Sequence, residues 1–210
     1  MTTSTIVRFD DDGDLTLIVG PLEQHFLVCS RTLSRTSTVF KAILHCPFMN
    51  SHPSSAVGPW VLTLPHDDEN GARLVVEIIH ANLDNIPTEL TLRELYEALI
   101  FADKYDMLKV LRPWVKTWIT FLSPLEASKD ISTALGVASK LGSIKTVVAL
   151  AERLILRSGV DDKGLLVNSD EELVMRPDTP IIASKLFGKL YKERESCASI
   201  AGQDTDSFAV

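Results

Sequence analysis

The chain reads as an α+β protein. Short alternating apolar runs at Leu15–Val19, Phe26–Cys29 and Trp60–Leu64 have the period of half-buried strands. Apolar residues from Val39 onward recur mostly at helical spacing. Two capping boxes, Thr91-Leu92-Arg93-Glu94 and Ser123-Pro124-Leu125-Glu126, mark helix starts within that later stretch.

The elements follow in order. Asp10-Asp11-Asp12-Gly13-Asp14 precedes the first strand and Gly20-Pro21 follows it, so Gly20 to Gln24 is the connection of a hairpin whose second strand is Phe26–Cys29. Val39, Phe40, Ile43 and Leu44 make Ser37–Leu44 a short amphipathic helix ended by Cys46-Pro47. The Ser, Pro and Gly content of Asn50–Pro59 predicts a surface loop before the third strand. Leu74, Val75, Ile78 and Ile79 predict a helix over Gly71–Ala81. The helix opened by Thr91 carries Leu92, Leu95, Leu99 and Ala102 on one face. A further stripe runs Leu108, Leu111, Val115, Trp118, Leu122; Pro113 interrupts it and predicts a bend or a fresh start, with Trp114 and Trp118 read as core. Beyond Ser123 a helical pair is expected, Ile131–Leu141 and Ile144–Ile155, with Gly142 as the stop and Ser143 as the next cap. Residues Ser158–Asp178 lose the pattern, Thr179-Pro180 opens a last short helix through Leu190, and the tail from Ser196 is expected to be mobile.

Composition narrows the function. The 210 residues are 45% apolar and 23% charged, which suits globular packing and excludes overall disorder. A net charge of −7, with no basic cluster free of acids, argues against a nucleic-acid footprint. No apolar run is long enough to span a bilayer, and the start has no leader pattern. Three cysteines, Cys29, Cys46 and Cys197, read as reduced thiols, so the expected compartment is cytoplasm or nucleus.

The chemistry sought in the sequence is mostly not found. With Gly13 at position six of a calcium loop, Arg8 would stand at position one and Val19 at twelve, where oxygen ligands are needed, so the aspartates read as a solvated turn. His25, Cys29, His45 and Cys46 lack any zinc-site spacing. There is no nucleophile elbow and no phosphate loop, and neither a cofactor nor an enzyme is expected.

Taken together, the N-terminal pieces resemble the BTB/POZ family, most closely its fungal branch. The residues that carry the resemblance are Gly13–Gly20, Phe26–Leu33, Ser37–Leu44, Trp60–Pro65, Ile78-Ile79-His80, Leu95-Tyr96, Ala102–Asp106 and Leu111–Trp114. The match implies a three-stranded sheet packed on a helical cluster over residues 9–122, after a segment 1–8. A mainly helical extension 123–195 and a tail 196–210 complete the expected organisation.

The resemblance further implies a non-catalytic protein-interaction module: an adaptor or docking subunit in a ubiquitin-ligase or regulatory complex, with a cullin or a second copy as partner. Two departures bear on this. Only about a dozen residues precede Leu15, against the extra helix and strand of members that exchange N-terminal segments, so a monomer or weak homodimer is expected. Cys29-Ser30 stands where many members have His and a basic residue, so the charge pair that members form with the aspartate at the Asp14 position is either missing here or supplied by the neighbouring Arg31. Candidate contact residues are Asp14, Arg31, His80, Leu83, Asp84, Asp103 and Tyr105. The family's cullin signature, an apolar residue two before Glu, is replaced by Leu83-Asp84-Asn85. Two further readings stand beside this one, a small intracellular enzyme with a dispersed site and a scaffold that holds a partner helix.

Overall fold

In the computed structural model, residues 5–45, 59–120, 128–157, 159–160 and 166–167 are described. The fold class is α+β, and the chain divides into two compact units, Met1–Thr120 and Phe121–Val210. In the first unit, β1 (Val7–Arg8), β2 (Leu15–Val19), β3 (Gln24–Val28) and β4 (Val61–Leu64) form a four-stranded sheet ordered β1-β3-β2-β4. The β2–β3 hairpin is antiparallel, pairing Leu15 with Val28 and Val19 with Gln24, while β4 runs parallel to β2 and β1 parallel to β3.

Alternation decides which face is covered. Leu15, Leu17, Val19, Phe26, Val28, Leu62 and Leu64 are buried, while Val61 and Thr63 between them are exposed. That is the signature of a sheet with one face on the core.

The sheet has one strand more than the three expected. Val7-Arg8 is too short to show a period, and what holds it is Phe9, whose amide donates to the Leu27 carbonyl at 2.9 Å and whose ring meets Phe26 edge-on at 5.0 Å.

Helices α1 (Ser30–Thr36) and α2 (Thr38–His45) follow the hairpin. The first was not anticipated: its sequence SRTLSRT holds one apolar residue, the buried Leu33, so no stripe announces it. Helix α3 (Glu69–Ile79) starts two residues earlier than its apolar pattern, because Asp68 caps it by accepting from the Gly71 amide at 2.7 Å. It stops at His80, after which Ala81 takes a left-handed φ of 60°. A 3-10 turn over Leu83–Asn85 leads toward α4 (Leu92–Lys104). There the expected capping box is present on both sides: Glu94 N donates to Thr91 Oγ1 and Thr91 N donates to Glu94 Oε2.

At Pro113 the fresh-start reading holds. A 3-10 stretch Leu108–Trp114 contains the proline, and α5 (Val115–Trp118) begins after it. Trp118 is fully buried, with its indole nitrogen donating to the Pro87 carbonyl at 3.0 Å. Trp114 stacks on it at 5.8 Å and is half-buried.

The second unit holds α6 (Ser128–Lys140) and α7 (Ile144–Arg157), joined at Gly142, whose φ of 74° supplies the expected stop. Ile131, Leu135, Ala138, Ala151 and Leu154 are buried as the stripe predicts, whereas Ile144 and Val148 from the same stripe are exposed and Leu150, outside it, is buried. A two-stranded ladder pairs β5 (Gly159–Val160) with β6 (Leu166–Val167), in a stretch without a sequence pattern. The loop 50–58, the second capping box at Ser123–Glu126, the helix at 179–190 and the tail lie outside the described residues. No helix among the described residues is long and apolar enough to cross a membrane.

Close contact between α3 and α4 depends on Gly71. A Cβ there would lie 2.6 Å from both the carbonyl carbon and oxygen of Glu97 and 2.9 Å from the Ala98 amide nitrogen, all backbone atoms that cannot swing aside. Gly71→Ala is expected to destabilise the first unit by about 1–3 kcal/mol as the two helices are forced apart. All three tryptophans, Trp60, Trp114 and Trp118, lie in that unit, so urea unfolding followed by tryptophan fluorescence reads it directly. A change under about 0.5 kcal/mol would contradict the packing described.

Candidate interaction surface

Four elements converge where α3 ends. Helix α1 begins with Cys29 as its N-cap, and that side chain makes no capping bond. Two other groups supply what the helix start needs. Asp14, at the entry to β2, accepts from the Ser30 amide and from the Ser30 hydroxyl, both at 2.7 Å. His80 accepts the Cys29 amide on Nε2 at 3.0 Å. Free helix-start amides favour an anion, so the carboxylate both caps and neutralises this end.

Asp14 is thus bonded by two neutral donors of Ser30, where the expectation was either no partner or the charge of Arg31. Arg31 is exposed.

The His80 ring is held at both nitrogens. Nδ1 lies 2.9 Å from the Val76 carbonyl, which can only accept, so the ring is neutral with its proton on Nδ1 and its lone pair on Nε2. Burial lowers the pKa of His80 below 6.5, against smaller upward pulls from the Val76 carbonyl, Asp10 and Glu77. Two residues on, Asn82 donates to the Phe9 carbonyl at 3.0 Å, fastening β1 to the same junction. The chain then turns outward: Leu83 is 57% exposed, Asp84 is exposed, and Ile86 is buried again.

Asp14 and His80 thus meet at the start of α1, with Leu83 and Asp84 on the turn that leaves the junction, while Arg31 lies next in α1 and is exposed. Asp103 and Tyr105 belong to a different group at the end of α4. Asp103 is exposed. Tyr105 is 4% exposed, stacked on Phe40 at 4.3 Å and tilted against Phe101 at 4.7 Å, which places it in the core and takes it out of a contact surface.

Its hydroxyl donates to Asp67 Oδ2 at 2.8 Å, and Lys104 Nζ donates to both oxygens of Asp67 at 2.8 and 2.7 Å. Burial, then the hydrogen bond and charge of Asp67, raise the Tyr105 pKa far above 10.0. Ser37 completes the group, its hydroxyl donating to the Tyr105 carbonyl and accepting from the Phe40 amide.

Sequence reading missed Asp67, Ser30 and Ser37. In Asp67-Asp68-Glu69 nothing distinguishes the acid that turns inward from the cap that follows it. Among the described residues no three His, Cys, Asp or Glu side chains are grouped to hold a metal, and Cys29 is free. Compared with known proteins, the chain matches no family model, and no curated protein matches it.

The His80 contacts make stability depend on pH. Protonation would turn the Nε2 acceptor into a donor facing the Cys29 N–H. The folded pKa is below the unfolded 6.5, so the unfolded state binds more protons and stability rises with pH through this window. The contribution is complete above 6.5 and is lost as pH falls toward and through the depressed folded value. Unfolding free energies measured from about pH 7.5 to 5 are expected to fall on acidification more steeply for the wild type than for His80→Gln. Parallel curves would contradict the assignment.

Proposed function

We propose that the chain is a non-catalytic protein–protein interaction module of BTB/POZ type, nearest the fungal branch of that family, acting as an adaptor or docking subunit in a ubiquitin-ligase or regulatory complex of the cytoplasm or nucleus. The order of elements supports this reading. The residues that carry the resemblance fall in sequence on β2, on β3 with α1, on α2, β4, α3, α4 and the 3-10 stretch before α5.

The observation that carries it is the turn after α3. Leu83 stands exposed on a 3-10 turn whose two flanks are tied down, Asn82 to the Phe9 carbonyl at 3.0 Å and Asn85 to Glu77 Oε1 at 3.3 Å. An isolated exposed leucine is ordinary. One presented on a pinned turn beside an acid loses little further freedom on binding, which is the property a protein contact exploits. The partner is a cullin or another copy of the chain, in the second case only weakly associated.

Binding of a purified cullin N-terminal domain tests the adaptor role. Affinity at tens of micromolar or better is expected, weakened about tenfold or more by Leu83→Asp. A wild-type protein that fails to bind at about 100 μM removes the adaptor branch. Sedimentation at micromolar concentration is expected to show a monomer or a weak dimer, and a tight dimer would contradict the assembly proposed.

A further inference from the structure

A cleft of about 500 Å³ opens beside edge strand β1 and α3, with Arg8, Arg73, Leu74, Glu77, Asn85 and Leu90 in its wall. That volume lies in the range of small-ligand sites, about 300–1,000 Å³. Its charged groups are not equivalent. The Arg73 guanidinium lies 5.7 Å from the centre of the Phe26 ring, and the Glu94 carboxylate is folded back on Thr91.

Glu77 is different: its side chain belongs to a residue 7% exposed, Oε1 accepts from Asn85 Nδ2 at 3.3 Å, and Oε2 is buried with no hydrogen-bond partner among the described residues. Burying a carboxylate oxygen without a donor is costly, and such groups are retained where a ligand supplies the missing partner.

We propose that Glu77 is the counter-ion for a cationic nitrogen group, a guanidinium or a primary ammonium, brought by a ligand that seats in this cleft. A charged donor supplies Oε2 with the missing hydrogen bond in its stronger, charge-assisted form, where a neutral donor supplies the weaker one. A divalent hard cation is a poor match, since it wants six or more oxygens and the wall offers the carboxylates of Glu77 and Glu94, the second folded back on Thr91, and the amides of Asn70 and Asn85, beside two arginines. Arg8, exposed on β1, puts a like charge in the same wall and weakens the site for a cation. The same chemistry can come from an arginine or lysine of a partner protein or from a free small amine. The inference does not require the cullin reading, since Leu83 is not in this wall, although the Asn85–Glu77 bond belongs both to the wall and to the turn that carries Leu83.

The full chain, titrated separately with an acetylated Gly-Arg-Gly amide and with agmatine, tests it, with the Gly-Gln-Gly amide as neutral control. Saturable shifts of the Asn85 and Leu90 backbone amides are expected with a cationic probe, at an affinity at least about tenfold weaker in Glu77→Gln and a few-fold tighter in Arg8→Glu. Binding of the peptide alone assigns the site to a partner side chain, and equal binding of agmatine assigns it to a free amine. Equal affinity in Glu77→Gln, equal binding of the neutral peptide, or no saturation by either cation below about 10 mM overturns the proposal. Should Glu77→Gln fail to fold, Arg8→Glu decides, and an unchanged or weaker affinity for the cations overturns it.

Discussion

A buried carboxylate sets the frame of the first unit. Asp67 sits between the end of β4 and the cap of α3, its side chain 3% exposed, and holds Lys104 and Tyr105 from the far end of α4. Tyr105 carries the constraint onward, because its ring stacks on Phe40 of α2 and its carbonyl takes the Ser37 hydroxyl. One side chain thereby fixes three helices relative to the sheet. Lys104 keeps 46% of its side chain in water, so its charge is only partly desolvated and the ion pair alone is a modest source of stability. The tyrosine hydroxyl is fully committed, and leaving it without an acceptor would cost about 1–3 kcal/mol. The group therefore contributes geometry more than gross energy, selecting one packing among many that an aromatic cluster would allow.

Helix α3 translates that geometry to the surface. At its start Asp67, Asp68 and the bare Gly71 bring it against α4, and at its end His80 and Asn82 tie it to α1 and β1. With both ends held, the outward turn at Leu83–Asn85 has little freedom, and Asn85 bonds Glu77 in the cleft wall. Contact chemistry on this chain is thus a product of how one helix is anchored.

Much of this frame is visible in the sequence where a signal is local and repeated. Leu15–Val19 alternates cleanly and is β2 with the same bounds. Thr91 and Glu94 form the box their spacing implies, and Leu95, Leu99 and Ala102 are the buried face of α4. Legibility fails where a partner is distant. Helix α1 has one apolar residue and owes its start to Asp14, sixteen positions away. Strand β1 has two residues and owes its place to Phe9 on Phe26. Tyr105, a candidate contact from its place in Ala102–Asp106, is interior because Asp67 draws its hydroxyl inward, a pairing across 38 positions that no local pattern records. Asp14, His80 and Leu83 were nameable from the resemblance, but the roles of Ser30 and Glu77 emerge only from what stands beside them.

The dependence of the fold on Asp67 is tested most directly by a double-mutant cycle of Asp67→Asn and Tyr105→Phe, unfolded in urea and read by the tryptophans, all of which report the first unit. If the carboxylate and hydroxyl act as one constraint, the two substitutions are coupled by about 1–2 kcal/mol and the double variant is destabilised by less than the sum of the single ones. Additivity to within about 0.3 kcal/mol would mean that the helices find their places without this group.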